Sequence, residues 1–215
     1  MHITHAIFPF ILAISMSLSS NEMSVIPPKD AEALESEVHR LVWSGFETHD
    51  EVFEHIKSTW GTDEAINDDW LRSRIDLEFS SKKNAERDWP ATTDTDRLDL
   101  AFHELNESGI IALQNTGYTQ QDGFDDISQE YHYLNDKSGA KGWCFYAGQD
   151  GETALKLNEL YLAFGGFDES QETALRSAKV IVSILMKHGL QVEWNGMPGS
   201  RLIVKPIDWQ KRAKT

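Results

Sequence analysis

Residues 170–188 constrain the fold more than any other stretch of this chain. Ala174, Ala178, Ile181 and Leu185 recur at steps of four, three and four, which is the spacing of one face of an α-helix. Lys187 and His188 fall in the last turn, where positive charge meets the negative end of the helix dipole, and Gly189 follows as a stop. A helix with one apolar stripe needs a surface to lie on. The residues just beyond it read as that surface: 190–194 has the pattern of a strand, Asn195-Gly196 begins a turn region continued by Pro198 and Gly199, and 202–204 returns antiparallel.

The same alternation extends upstream. Thr93 or Asp94 is a good cap for a helix with the stripe Leu98, Phe102 and Leu105; Gly109 ends it, and residues 110–113 switch at once to a buried strand. Strands are then predicted at 143–146 and 160–164, with a short helix at 152–157 between them. Before residue 90 the pattern is helical only. Leu34, Val38 and Leu41 or Val42 share one face with a stop at Gly45; a second helix starts near Asp50, carries Val52, Phe53 and Ile56, and ends at Trp60-Gly61. Asp68 or Asp69 caps a third helix, with Trp70, Leu71, Ile75 and Phe79, that gives way to the polar run 80–88 before Trp89-Pro90. The expected class is α+β: an N-terminal helical subregion (29–90) followed by a helix-backed mixed sheet of about four or five strands (91–209). Both parts belong to one domain over 23–209, with 210–215 as a tail, and no internal repeat is visible.

Charge narrows the function classes. The net charge is −15, and it is uneven: residues 30–69 hold twelve acids against Arg40 and Lys57, whereas 141–215 hold eight acids against ten bases. A field of this sign repels nucleic acid and anionic membrane, and it suits a basic protein partner as well as plain solubility of exposed helix faces. One cysteine allows no intrachain disulfide and no cysteine-rich zinc site, which fits a reducing, cytoplasmic setting. The apolar stretch 6–18, followed by Ser17-Leu18-Ser19, offers an alternative: a signal peptide and export. It lacks a preceding Lys or Arg, contains Pro9 and is short for a membrane span, so a translation start at Met23 is the other reading of residues 1–22.

The most unusual stretch is Gln114-Asn115-Thr116-Gly117-Tyr118-Thr119-Gln120-Gln121-Asp122-Gly123, a run of hydrogen-bonding side chains directly after a buried strand. Gln114, Asn115, Tyr118, Thr119 and Asp122 are candidate ligand-binding residues, and Asp125 and Asp126 add carboxylates nearby. The bland alternative is an ordered turn whose side chains satisfy local backbone. Gln149 and Asp150 follow the next strand; if the two strands are neighbours, their loops converge, and Asp122 with Asp150 becomes a carboxylate pair for acid/base work or a hard metal. Asp150 as a simple helix cap is the competing reading. Cys144 sits within apolar Trp143-Cys144-Phe145-Tyr146, so a buried inert thiol outweighs a nucleophile served by His103 or His132. No zinc helix, phosphate loop or Gly-x-Ser-x-Gly turn is present, and no motif asks for a cofactor or a metal.

Several segments in order resemble a bacterial domain family of unknown function: Thr93-Asp94-Thr95-Asp96-Arg97-Leu98-Asp99, the run from Gly109-Ile110-Ile111-Ala112 to Tyr118-Thr119, Gly142-Trp143-Cys144-Phe145-Tyr146-Ala147-Gly148-Gln149-Asp150, Leu160-Tyr161-Leu162-Ala163-Phe164-Gly165 and Val192-Glu193-Trp194-Asn195-Gly196. The likeness runs from about 30 to 209. It implies one unit that includes the N-terminal helices, with an extension before Met23 foreign to the pattern, and it implies no activity. Members often carry Asp where Asn195 stands, so no charge-dependent role is implied there. Two expectations follow: a soluble acidic binding or regulatory protein for a basic protein partner, or a hydrolase or metal-assisted enzyme using the polar loops 114–123 and 148–152.

Overall fold

The computed structural model describes residues 30–60, 66–135 and 137–214. The apolar stretch 6–18, the start at Met23 and the stop at Gly61 lie outside the described residues. Three helices form an N-terminal layer: α1 (Ala31–Ser44), α2 (His49–Trp60) and α3 (Asp68–Ala85). Leu34, Val38, Leu41 and Val42 of α1 meet Val52, Phe53 and Ile56 of α2 and Trp70, Leu71 and Ile75 of α3 in one apolar core. Gly45 ends α1 at a φ of 83°, in the left-handed region, where its N–H donates to the Val42 carbonyl.

Two details of this layer differ from expectation. Asn67, one residue ahead of the aspartates, caps α3 by accepting from the Trp70 N–H. The helix also continues into the polar run that was expected to end it, as far as Ala85, and there Lys82 turns inward. Lys82 is fully buried, its stem within the protein and its Nζ donating to the Val42 carbonyl at 2.8 Å. That contact satisfies an end-of-helix carbonyl of α1 with a charged donor.

The second layer runs α4 (Asp94–Glu107), β1 (Ile110–Leu113), α5 (Gln120–Tyr133), a 3-10 turn (Lys137–Gly139), β2 (Gly142–Phe145), α6 (Gly148–Leu157), β3 (Leu160–Gly165), α7 (Gln171–Lys187), β4 (Val192–Glu193) and β5 (Leu202–Val204). The five strands lie in the order β1-β2-β3-β5-β4; β1 and β2 are parallel and the other pairs antiparallel. The expected α+β class with a mixed sheet is therefore observed. Side chains alternate between the faces. Ile110, Ala112, Cys144, Leu160, Leu162, Leu202 and Val204 face a core completed by Leu98, Phe102 and Leu105 of α4 and Ala178, Ile181 and Leu185 of α7. Ile111, Leu113, Trp143, Phe145 and Ala163 form a smaller cluster on the other face with Ile127 of α5.

Helix α5 was not anticipated, since residues 114–123 read as loop. Thr119 and Asp122 form a capping box at its start, and Gly123 lets it lie against β2, where a side chain would collide with the Phe145 ring. Strand β4 is shorter than expected, and α6 begins at Gly148 rather than 152. The edge strand β1 is closed by a side chain: Asn106 Oδ1 accepts from the Ala112 N–H and its Nδ2 donates to the Ala112 carbonyl, both at 3.0 Å. The amide stands where a further strand would pair.

The expected tail is a strap. Residues 210–214 join the two layers: Lys211 reaches Asp99 at 2.8 Å, Arg212 reaches Asp96 at 2.8 Å, the Ala213 N–H donates to Glu86 at 2.7 Å and Lys214 reaches Glu51 at 2.9 Å. Just before them, Trp209 Nε1 donates to the Ser44 carbonyl at 3.2 Å. Among the described residues, no helix is long and apolar enough to cross a membrane.

Candidate functional site

Because β1 and β2 are parallel neighbours, the turns that follow them lie side by side. The Thr116 N–H donates to the Tyr146 carbonyl, Gly148 to Gly117 and Gln149 to Tyr118, each at 3.1 Å. The two polar segments therefore do converge, but most of their side chains serve the fold. Gln114 donates to Asp99 at 3.0 Å and accepts from the Tyr146 hydroxyl at 3.0 Å, while Asp99 also holds Lys211. This chain of contacts ties β1, β2, α4 and the strap together. Tyr146 is fully buried, and burial, followed by the Asp99 charge, raises its phenol well above the ordinary value.

The two carboxylates proposed as a pair are each engaged by their own helix start. Asp122 accepts from the Tyr118 N–H at 3.0 Å, the Thr119 N–H at 2.7 Å and the Thr119 hydroxyl at 2.9 Å; these contacts, led by the Thr119 backbone, hold its pKa below the usual carboxylate range. Asp150 accepts from the Ala147 N–H at 2.9 Å and from Arg201 at 2.8 Å, which anchors α6 to β5. Gln149 is exposed and lies inside α6. Thr119 is the N-cap of α5. Asn115, whose φ of 52° suits asparagine, and Tyr118 face a cavity instead.

That cavity, of about 550 Å³, opens at the seam between the layers. Asn115, Gly117 and Tyr118 line it from the β1 turn, Gly148, Gly151, Glu152 and Leu155 from α6, Glu37, Arg40 and Leu41 from α1, Glu47, His55 and Thr59 from α2 and its approach, and Trp209 from just before the strap. Arg40 is held on one wall: its Nε donates to Glu37 at 2.8 Å and lies 3.4 Å from Glu152, and its guanidinium sits 5.6 Å from the Tyr118 ring centroid. Hydrogen bonding to Arg40 keeps Glu37 below its ordinary pKa, and the same contact raises Arg40. Glu152 beside the Tyr118 phenol, ahead of burial, holds that phenol up. On the opposite wall, Glu47 Oε1 lies 3.0 Å from His55 Nδ1, and Glu47 Oε2 is buried with no hydrogen-bond partner among the described residues.

Arg40, Glu37, Glu47 and His55 were not singled out from sequence, and Glu152 entered only as the last residue of the polar loop 148–152. Glu37 and Arg40, one turn apart, look like a routine surface pair, and nothing local says that α6 closes over them. Of the other candidates, Cys144 is fully buried, its thiol pushed far up by burial, and it bonds neither His103, which pairs with Glu107, nor His132, which meets the Ser128 carbonyl. Asn195 Oδ1 accepts from the Met197 N–H at 2.9 Å and the Ser200 hydroxyl at 2.7 Å. Only acceptor capacity is used there, which aspartate supplies equally.

No curated protein and no solved structure matches this chain. One family description does match, over residues 27–213, a span that takes in the helical layer, the sheet and the strap to Ala213. The chain belongs to the family described as domain of unknown function DUF6891.

Proposed function

We propose that this chain is a binding or regulatory protein that receives a basic protein partner on its acidic helical layer. The observation that carries this reading is a shallow depression along α2 lined by Glu47, Glu51 and Glu54, with Lys214 of the strap as the cation paired to Glu51. Elsewhere in the helical layer, Asp30, Glu32 and Asp69 are exposed and, like Glu54, form no ion pair among the described residues. The strap supplies a precedent within the molecule, since its basic side chains already pair with acids of α2 and α4. Uncompensated acids of this kind favour association with a positive surface and make it sensitive to salt. The lone buried cysteine favours a reducing, cytoplasmic setting for that role.

The competing hydrolytic or metal-assisted reading draws support from the convergence of the two polar loops. Weighing against it, Asp122 and Asp150 are engaged at helix starts, and hydrogen bonds or nearby cations hold Glu37, Glu51, Glu104, Asp122, Glu159 and Asp168 below the ordinary carboxylate range, away from the value of a general acid. The test is capture from native lysate at low and moderate salt with the wild type and with a Glu32→Gln, Glu54→Gln, Asp69→Asn variant. A basic protein retained stoichiometrically, weakened by salt and lost with the variant is the expected result. Equal retention by the variant, or no specific retention at either salt, rejects the proposal.

A further inference from the structure

We infer that the strap, residues 210–214, is autoinhibitory: its cations occupy acids that the basic partner uses, and the partner binds by displacing them. This rests on the proposed function and names the regulation of that same face. Three acids lie under the strap. Lys214 Nζ donates to Glu51 at 2.9 Å, Arg212 to Asp96 at 2.8 Å and the Ala213 N–H to Glu86 at 2.7 Å. Glu51 also lines the depression along α2 with Glu47 and Glu54, so Lys214 sits where the partner is expected.

Two of these acids are organised without the strap. Glu51 accepts from the Thr48 N–H at 2.7 Å in the first turn of α2, and Asp96 accepts from the Thr93 N–H at 2.9 Å in the first turn of α4. Each carboxylate is therefore fixed by its own helix start, and Lys214 and Arg212 are its occupants, not its builders. A partner segment with cations two residues apart, as Arg212 and Lys214 are, can address the same two acids.

The hold is weak beyond a firm anchor. Trp209 is buried, its ring centroid 6.0 Å from that of Tyr146 and 6.4 Å from that of Phe46. Lys211 is largely covered, with its Nζ 2.8 Å from Asp99 and 4.9 Å from the Phe46 ring centroid. Past Lys211, the side chains of Arg212, Lys214 and their two carboxylate partners are between 38% and 50% exposed. An ion pair exposed to that degree favours its closed form by about fivefold or less, and salt screens it. The strap thus opens at Arg212 while Trp209 keeps its seat, and opening returns Glu51 and Asp96 to solvent without disturbing either core.

The experiment titrates the full chain with decalysine at low salt, followed by backbone-amide NMR and by the fluorescence anisotropy of labelled decalysine. The amides of Ala213 and Lys214 are expected to move to the positions of an unstructured chain while the Trp209 indole stays in place. A site that is closed most of the time loses affinity in proportion to its open fraction, so Arg212→Ala with Lys214→Ala should bind decalysine about fivefold more tightly than the wild type, at a nearly unchanged melting temperature. Lys137→Ala with Lys179→Ala, at exposed positions on the 3-10 turn and α7, removes the same charge away from the strap and should gain roughly twofold or less. Strap amides unmoved at saturation, no binding by any of the proteins, a strap variant that binds no more tightly than the wild type, or an equal gain by the charge-matched control each overturns the inference.

The two readings fail separately. Strap release by decalysine with no basic protein captured from lysate rejects the partner and keeps the strap as a displaceable cover. A basic protein captured equally by the wild type and the strap variant, with the strap amides unmoved, rejects the strap and keeps the acidic face.

Discussion

The helical layer and the sheet layer each enclose their own apolar core, and the seam between them mixes apolar and polar contacts. Within α1–α3, Leu34, Val38, Ile56 and Leu71 pack on one another; within the second layer, Phe102, Leu160, Ile181 and Leu202 do. Between the layers the Phe46 and Trp209 rings meet with centroids 6.4 Å apart, and beside them stand Arg40 against Glu152, Trp209 Nε1 against the Ser44 carbonyl, Lys214 against Glu51 and the Ala213 N–H against Glu86. Apolar side chains fill space because every gap forfeits dispersion and burial. Polar contacts are satisfied at fixed points and tolerate space between those points. The cavity lies where the two kinds meet, lined by Leu41, Phe46, Leu155 and Trp209 as well as by charged groups.

Three measurements break or sharpen this contrast. The largest effect is expected from Phe102→Ala, which empties a buried site between α4 and the sheet and edge-on to Tyr146, and should cost about 3–5 kcal/mol. Ile56→Ala, the matching deletion in the helical core, should cost about 2–5 kcal/mol. If the seam couples the layers fully, chemical denaturation of either variant remains a single transition by tryptophan fluorescence and by circular dichroism. If it does not, the damaged layer melts first.

The next effect belongs to the helical layer alone. Burial, acting against the attraction of Glu86 and together with the repulsion of Lys211, pulls the Lys82 pKa down to about 8 from an unfolded value of about 10.5. The folded protein thus releases a proton that the unfolded chain keeps, so the penalty is complete below about pH 8 and is relieved as pH rises towards about 10.5. The stability of the wild type relative to Lys82→Met should rise by on the order of 3 kcal/mol across that window. A pH-independent difference between the two proteins contradicts the burial of a charged Lys82.

The smallest effect is at the seam. Lys211→Ala with Arg212→Ala removes two partly exposed ion pairs, each worth roughly 1 kcal/mol or less, and should shift the midpoint slightly while raising amide exchange at α4's first turn and at Ser44. A loss as large as that of Phe102→Ala would mean that the strap, and not the two cores, holds the fold together.

The parts of the fold that were legible are those in which neighbours along the chain cooperate. The stripe of α7, the Gly45 and Gly189 stops, the Thr93 cap and the abrupt passage from α4 to β1 are all local patterns, and all are present. Helix α5 was missed for a physical reason: its first turn is polar, and Gly123 there looked like a loop residue, whereas its meaning is the nearby Phe145 ring. The pattern Thr119-x-x-Asp122 was the available signal. Similarly, Gln114 looked like a free ligating group because its partners, Asp99 and Tyr146, are distant along the chain, and the Arg201 contact of Asp150, unlike its local cap, is invisible until the chain is folded.

By itself, the sequence determined the period of each strongly amphipathic helix, the acidity of the first half and the α+β class, because side-chain spacing and charge are properties of neighbouring residues. Tertiary structure alone decided that Glu37, Arg40, Glu47, Glu152, Tyr118 and Trp209 surround one cavity and that the last residues bind the layers together. Those placements depend on α6 and the strap reaching α1 and α2 from far along the chain. The balance of burial and charge that arranges such distant contacts leaves no periodic mark in any one segment.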